Sequence, residues 1–148
     1  MPRNRERAIT DGANVIQWEC NGGLWQDWKF THQGNGYYTL TNSNTLSDPK
    51  NAMCLEVVGS ATEAGANVQQ GQCDPGAPRQ AWKVANVSDN GAEGYRLIAQ
   101  HSGLVLEVAG ASLDDGANVI QNKPAEPLEA QQVWKLGCLP GQTWRCPQ

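Results

Sequence analysis

The chain has 148 residues, within the ~100–200 typical of one domain. Charged residues make up 18%, against a usual ~25%, and there are 16 Gly and six Trp but one Phe, a composition that fits a turn-rich all-β domain rather than a helical bundle. The net charge of −4 argues against nucleic acid, since phosphate binding needs clustered Lys and Arg, and no apolar run approaches the ~18 residues of a membrane span, so neither nucleic acid nor membrane insertion is expected.

Met1 to Thr10 carry three Arg and no apolar stretch, so no signal peptide is read there. Asp11-Gly12 then marks a turn. Tyr37 to Thr41 reads as a strand, and so do Met53–Val58, Asn67–Gln72, Trp82–Val87, Tyr95–Ala99, Leu104–Val108 and Val119–Asn122. No window shows apolar residues recurring at helical spacing; short helical turns fit only near Ser60–Ala64 and Ala111–Asp115. Of the five Cys (20, 54, 73, 138 and 146) none forms a C-x-x-C pair, and with two His no metal or other cofactor is expected. Either four of them bridge in an oxidising compartment, leaving one over, or all are buried thiols.

The strands belong to a repeat. Gly-Ala-Asn-Val occurs at Gly12, Gly65 and Gly116, and Gln-x-Trp follows each copy with Trp28, Trp82 and Trp134, 16, 17 and 18 residues after the Gly. Each Trp precedes a Lys and an apolar residue. Nine residues before the second and third Gly stands an acid within Leu-x-Val, Glu56 and Glu107. One copy is too short to bury its own apolar face, so the three Trp are expected in a shared core. Each would remove about 150–250 Å² from water, an upper bound of roughly 4–6 kcal/mol.

This pattern resembles the ricin B-chain-like (R-type) lectins, over roughly Asp11 to Leu136. The resemblance implies an all-β, threefold β-trefoil: one domain over 1–148, its repeats at about 1–46, 47–100 and 101–148, the first and last incomplete. It implies a shallow glycan site in each repeat, built from an acid on the first strand, an aromatic on the second and polar residues around the Gln of Gln-x-Trp. Such a set suits a sugar: a carboxylate accepts from two hydroxyls, a ring covers the apolar C–H face, and an amide both donates and accepts.

Carried onto this chain, the first repeat offers Trp18, Asn21 and Gln26, but Arg3 stands at the acid's place. The second offers Glu56, Asp74 and Gln80, with Gly71 at the aromatic position. The third offers Glu107, Asn122 and Gln132, with Asn122 at that position. No repeat keeps both carboxylate and ring. Glu56 and Glu107 read equally as sugar acceptors and as solvated or turn-bonded acids, and Trp18 as a sugar platform or a core residue. The family bridges the pair that falls on Cys54 and Cys73; Cys20 finds Met1 at its partner's place.

The expected function is a non-catalytic carbohydrate-binding module or lectin for galactose-containing or xylan-like glycans, secreted, and conceivable as an accessory domain of a glycoside hydrolase. The alternative is a sugar-inactive trefoil serving as a protein-interaction or inhibitor module. No nucleophile motif or phosphate-cradling loop argues for catalysis. Measured on the second repeat, where Tyr95 is 13 residues beyond Trp82, the last strand would begin at 147, so the tail around Leu139–Cys146 is expected to patch an open seam, with self-association through that edge as the runner-up.

Overall fold

In the computed structural model, residues 2–4, 11–17, 26–47, 49–89, 91–135 and 143–144 are described. Among them are eleven strands: β1 (Pro2–Asn4), β2 (Val15–Gln17), β3 (Trp28–Gly34), β4 (Tyr37–Asn42), β5 (Met53–Val57), β6 (Val68–Gln72), β7 (Trp82–Asp89), β8 (Ala92–Ala99), β9 (Val105–Val108), β10 (Val119–Asn122) and β11 (Thr143–Trp144). The remaining regular pieces are single 3₁₀ turns. Two of them, Val58–Ser60 and Ala109–Ala111, stand just before the places expected for helical turns. Gly59 and Gly110 take φ of 61° and 64° there, which reverses the chain directly after the strand.

The same pairing recurs in each repeat. β1–β2, β5–β6 and β9–β10 are antiparallel pairs in one register: Arg3 opposes Ile16, Glu56 opposes Gln69, and Glu107 opposes Ile120. β3–β4 and β7–β8 are hairpins starting from Trp28 and Trp82. Between repeats, Tyr38 on β4 opposes Trp82, Tyr95 on β8 opposes Trp134, and Trp144 on β11 opposes Trp28. Each repeat therefore hands a strand to the next, and the last hands one to the first. This is the threefold arrangement of a β-trefoil.

The spacing behind this closure differs from the expectation taken from the second repeat. Tyr38 lies ten residues beyond Trp28, and Trp144 lies ten beyond Trp134. The longer β7–β8 hairpin is the exception, so position 147 is the wrong place to look for the final strand. Trp144 stands in the ladder where Tyr38 and Tyr95 stand.

The Gly-Ala-Asn-Val copies meet around the threefold axis. Asn14 Nδ2 donates to Asn118 Oδ1 (2.9 Å), Asn118 Nδ2 to Asn67 Oδ1 (2.6 Å), and Asn67 Nδ2 to Asn14 Oδ1 (2.7 Å), a closed ring of three amides. Backbone bonds run with it, from Gly12 N to Gln70 O, Gly65 N to Gln121 O, and Gly116 N to Gln17 O, at 2.8–2.9 Å. In the first and third copies, the Gln two residues after the Val extends the interlock. Gln17 Nε2 donates to Ser112 O and Asp114 O, and Gln121 Nε2 to Ala61 O and Glu63 O, so each amide caps a loop of a neighbouring repeat.

Beneath the ring lies the core. Trp28 and Trp82 are fully buried and Trp134 is 5% exposed, with Val15, Val68, Val119, Leu40, Leu97, Leu55 and Leu106 packed among them. Two indoles also find their polar partner: Trp82 Nε1 donates to Leu55 O at 3.0 Å and Trp134 Nε1 to Leu106 O at 3.1 Å. A buried indole N–H needs such a partner. These bonds tie the Trp of Gln-x-Trp to the first strand of its repeat, the strand that carries Glu56 or Glu107.

Candidate carbohydrate site

The acid of each site comes from a strand whose every residue is buried, β5 or β9. Strand alternation sends Leu55 and Val57, or Leu106 and Val108, to the core and the acid to the opposite face. There the acid is covered from the side by the 3₁₀ turn that starts each Gln-x-Trp, Pro78–Gln80 or Ala130–Gln132. Glu56 and Glu107 are each 6% exposed. A buried carboxylate needs charge-assisted partners, and the two repeats supply different ones.

In the third repeat, Asn122 Nδ2 donates to Glu107 Oε2 (2.8 Å) and Gln132 Nε2 to Glu107 Oε1 (3.1 Å). Each carboxylate oxygen carries one amide. Gln132 also donates to Lys123 O (2.8 Å) and accepts from Ala125 N (2.9 Å), fixing the loop beside the acid. Arg96, reaching across from β8, donates to Ala125 O and pairs with Glu126 at 3.3 Å.

In the second repeat, Gln69 Nε2 donates to Glu56 Oε1 (3.0 Å), while Gln80 Nε2 (2.9 Å) and Arg79 Nε (3.0 Å) both donate to Oε2. Gln80 repeats the clamp of Gln132, donating to Gln72 O (2.9 Å) and accepting from Asp74 N (2.8 Å). Asp74 is exposed and stands 3.8 Å from Arg79 Nη2. Asp11, Glu56, Gln72, Cys73, Asp74 and Arg79 line an open cleft of about 430 Å³. Cys54 and Cys73 are joined by a disulfide at one edge of it, S–S 2.00 Å.

Gln80 and Gln132, placed by the sequence among sugar contacts, are 0% and 1% exposed. Both ends of their amides are spent on backbone and carboxylate, so they orient the acid. Gln26 in the first repeat is 2% exposed. Trp18 and Asn21 lie outside the described residues, as do Cys20, Cys138 and Cys146. Arg79, Gln69 and Arg96 are participants that the sequence reasoning missed. Arg79 had a signal in the residue before Gln-x-Trp, a cation in the second repeat against Trp25 and Gln131 in the others. Among the described residues, no group of three His, Cys, Asp or Glu side chains stands close enough to hold a metal ion, and no helix is long and apolar enough to cross a membrane.

A family model described as "Ricin-type beta-trefoil lectin domain-like" matches residues 3–48 and 45–122. The chain is a ricin-type β-trefoil lectin-like domain. Among solved structures, this lectin-like domain is similar to the designed threefold symmetric protein ThreeFoil, with 33% identity and a TM-score of 0.78, covering 97% of this chain and 87% of the other. It is also similar to the exo-β-1,3-galactanase 1,3Gal43A from Clostridium thermocellum, at 25% identity and TM-score 0.78, over 90% of this chain but 26% of the galactanase. The earthworm R-type lectin C-half, solved in complex with GalNAc, shares the fold at 17% identity and TM-score 0.63, over 89% of this chain and 85% of the lectin half. No curated protein sequence matches the domain.

Proposed function

We propose that the whole chain acts as one glycan-binding domain, non-catalytic and extracellular, through shallow sites built within its repeats. Galactose-containing or xylan-like glycans are the ligand class. The observation that carries this is the Glu107 carboxylate, held in place by two side-chain amides with one bond to each oxygen. An ionised carboxylate has about four acceptor positions, so two remain for adjacent hydroxyls of a sugar ring. Asn122 borders them, and in the first repeat Trp18 would supply an apolar platform and Asn21 a polar contact. Membership of a lectin-like family and the GalNAc complex of the earthworm lectin half support the reading. Likeness to about a quarter of a galactanase supports an accessory role beside a glycoside hydrolase.

Isothermal titration with galactose, xylose and their oligosaccharides tests it. Saturable binding that Glu107→Gln weakens about tenfold or more is expected, because the change removes the charge from every hydroxyl contact at that site. Absence of binding at millimolar ligand across the set overturns it. The second reading, a protein-interaction module, is favoured by one observation: neither Gly71 nor Asn122 offers a ring where the family places one. It predicts capture of a protein partner by a chain indifferent to glycans.

A further inference from the structure

Resting on the carbohydrate reading above, we propose that Arg79 is a built-in plug: it holds the second repeat closed to neutral sugars while the third repeat stays open. The two acids sit in the same register, on the equivalent strands β5 and β9, each with the Gln of Gln-x-Trp beside it. They differ in how much of the carboxylate is left over. Glu107 accepts from two amides, Asn122 and Gln132. Glu56 accepts from two amides, Gln69 and Gln80, and in addition from the guanidinium of Arg79.

That third donor lands on the oxygen already bonded to Gln80, so Oε2 of Glu56 is filled and one acceptor position remains, on Oε1. A pair of adjacent sugar hydroxyls needs two. A neutral hydroxyl also has to displace a charged donor whose bond to a buried carboxylate is among the stronger kinds. Asp74 backs the guanidinium from the solvent side at 3.8 Å, which holds it over the cleft. In the third repeat, Gln131 occupies the place of Arg79, and its amide turns away to Glu129. Removing the Arg79 side chain therefore leaves Glu56 with two amide donors, the setting Glu107 already has. Arg79 lines the cleft itself and is partly exposed, so its removal opens space without opening the core.

The test is nuclear magnetic resonance of the ¹⁵N-labelled full chain, titrated with methyl β-galactoside and methyl β-xyloside. The side-chain amides of Gln69 and Gln80 report the second repeat, and those of Asn122 and Gln132 the third. In the wild type, saturable shifts are expected at Asn122 and Gln132, with Gln69 and Gln80 still. In Arg79→Ala, Gln69 and Gln80 begin to shift, with affinity at the second repeat raised at least about tenfold, the scale of one charge-assisted hydrogen bond. Arg79→Gln, which keeps bulk and loses charge, gives the same result and serves if the alanine variant folds poorly. Shifts at both repeats in the wild type overturn the plug and leave the sugar reading standing. So do third-repeat shifts alone in all three proteins. Shifts confined to the first repeat overturn the plug and leave the sugar reading standing, and no shift at any amide of the chain in any of the three proteins overturns both.

Discussion

A Cβ built on Gly71 would lie 1.9 Å from Glu56 Oε1 and 2.6 Å from Oε2. The missing side chain on β6 and the long acid on β5 therefore occupy one space between them. They are diagonal neighbours on one face of the antiparallel pair, since Glu56 opposes Gln69. Gly71 is thus more than a lost sugar platform. Gly71→Ala should destabilise the domain by about 1–3 kcal/mol, the usual cost of overpacking, because Glu56 is held by three donors and gives way only by breaking bonds. In a Glu56→Ala background the same change should cost under about 0.5 kcal/mol. Urea unfolding of the four chains checks it, and equal costs in both backgrounds would sink the coupling. Glu, Gly and the register were all legible in the sequence. Their shared volume was not, because it depends on which way the long glutamate side chain turns.

At the scale of the strand, Asn67 shows what a repeat can hide. The Gly-Ala-Asn-Val copies are visible in the sequence, and turns are the natural meaning of their glycines. The meaning of the Asn appears only when residues 51, 53 and 104 positions apart meet on one axis. Asn67→Ala removes two bonds of the ring and leaves the Asn14 oxygen and an Asn118 N–H without a partner in a partly buried place. A loss of about 1–3 kcal/mol is expected. Asn86→Ala, at an exposed position of β7, should stay within about 0.5 kcal/mol and serves as the control. Cys54 and Cys73 set a second constraint, closing a loop between β5 and β6 with a sequence separation of 19. Reducing that bridge should lower stability by around 3 kcal/mol on the loop-entropy account. Denaturant midpoints with and without reductant measure it, and an unchanged midpoint after complete reduction would show that the cross-link constrains nothing.

For the molecule as a whole, the deciding feature is how a ring of three repeats closes. Two of the joins, Tyr38 to Trp82 and Tyr95 to Trp134, connect repeats that are neighbours in sequence. The third joins Trp144 to Trp28 across nearly the whole chain. It pairs β11 with β3 at Trp28, whose side chain is fully buried. Losing that pairing exposes the edge of β3 and leaves N–H and C=O groups needing either water or another strand. The closing pair was legible only with the right ruler: the ten-residue step from Trp28 to Tyr38 reaches Trp144, whereas the 13-residue step of the second repeat overshoots it. A chain ending at Leu136 lacks the pair. It should lose about 2–4 kcal/mol, the worth of a few net hydrogen bonds. It should also self-associate as concentration rises, since an open strand edge is a template for pairing with a second copy. Urea unfolding and light scattering after size exclusion, on the full and shortened chains together, measure both effects. If the shortened chain stays monomeric and unfolds at the same urea concentration, the final strand does not seal the ring, and the closure rests on the axis alone.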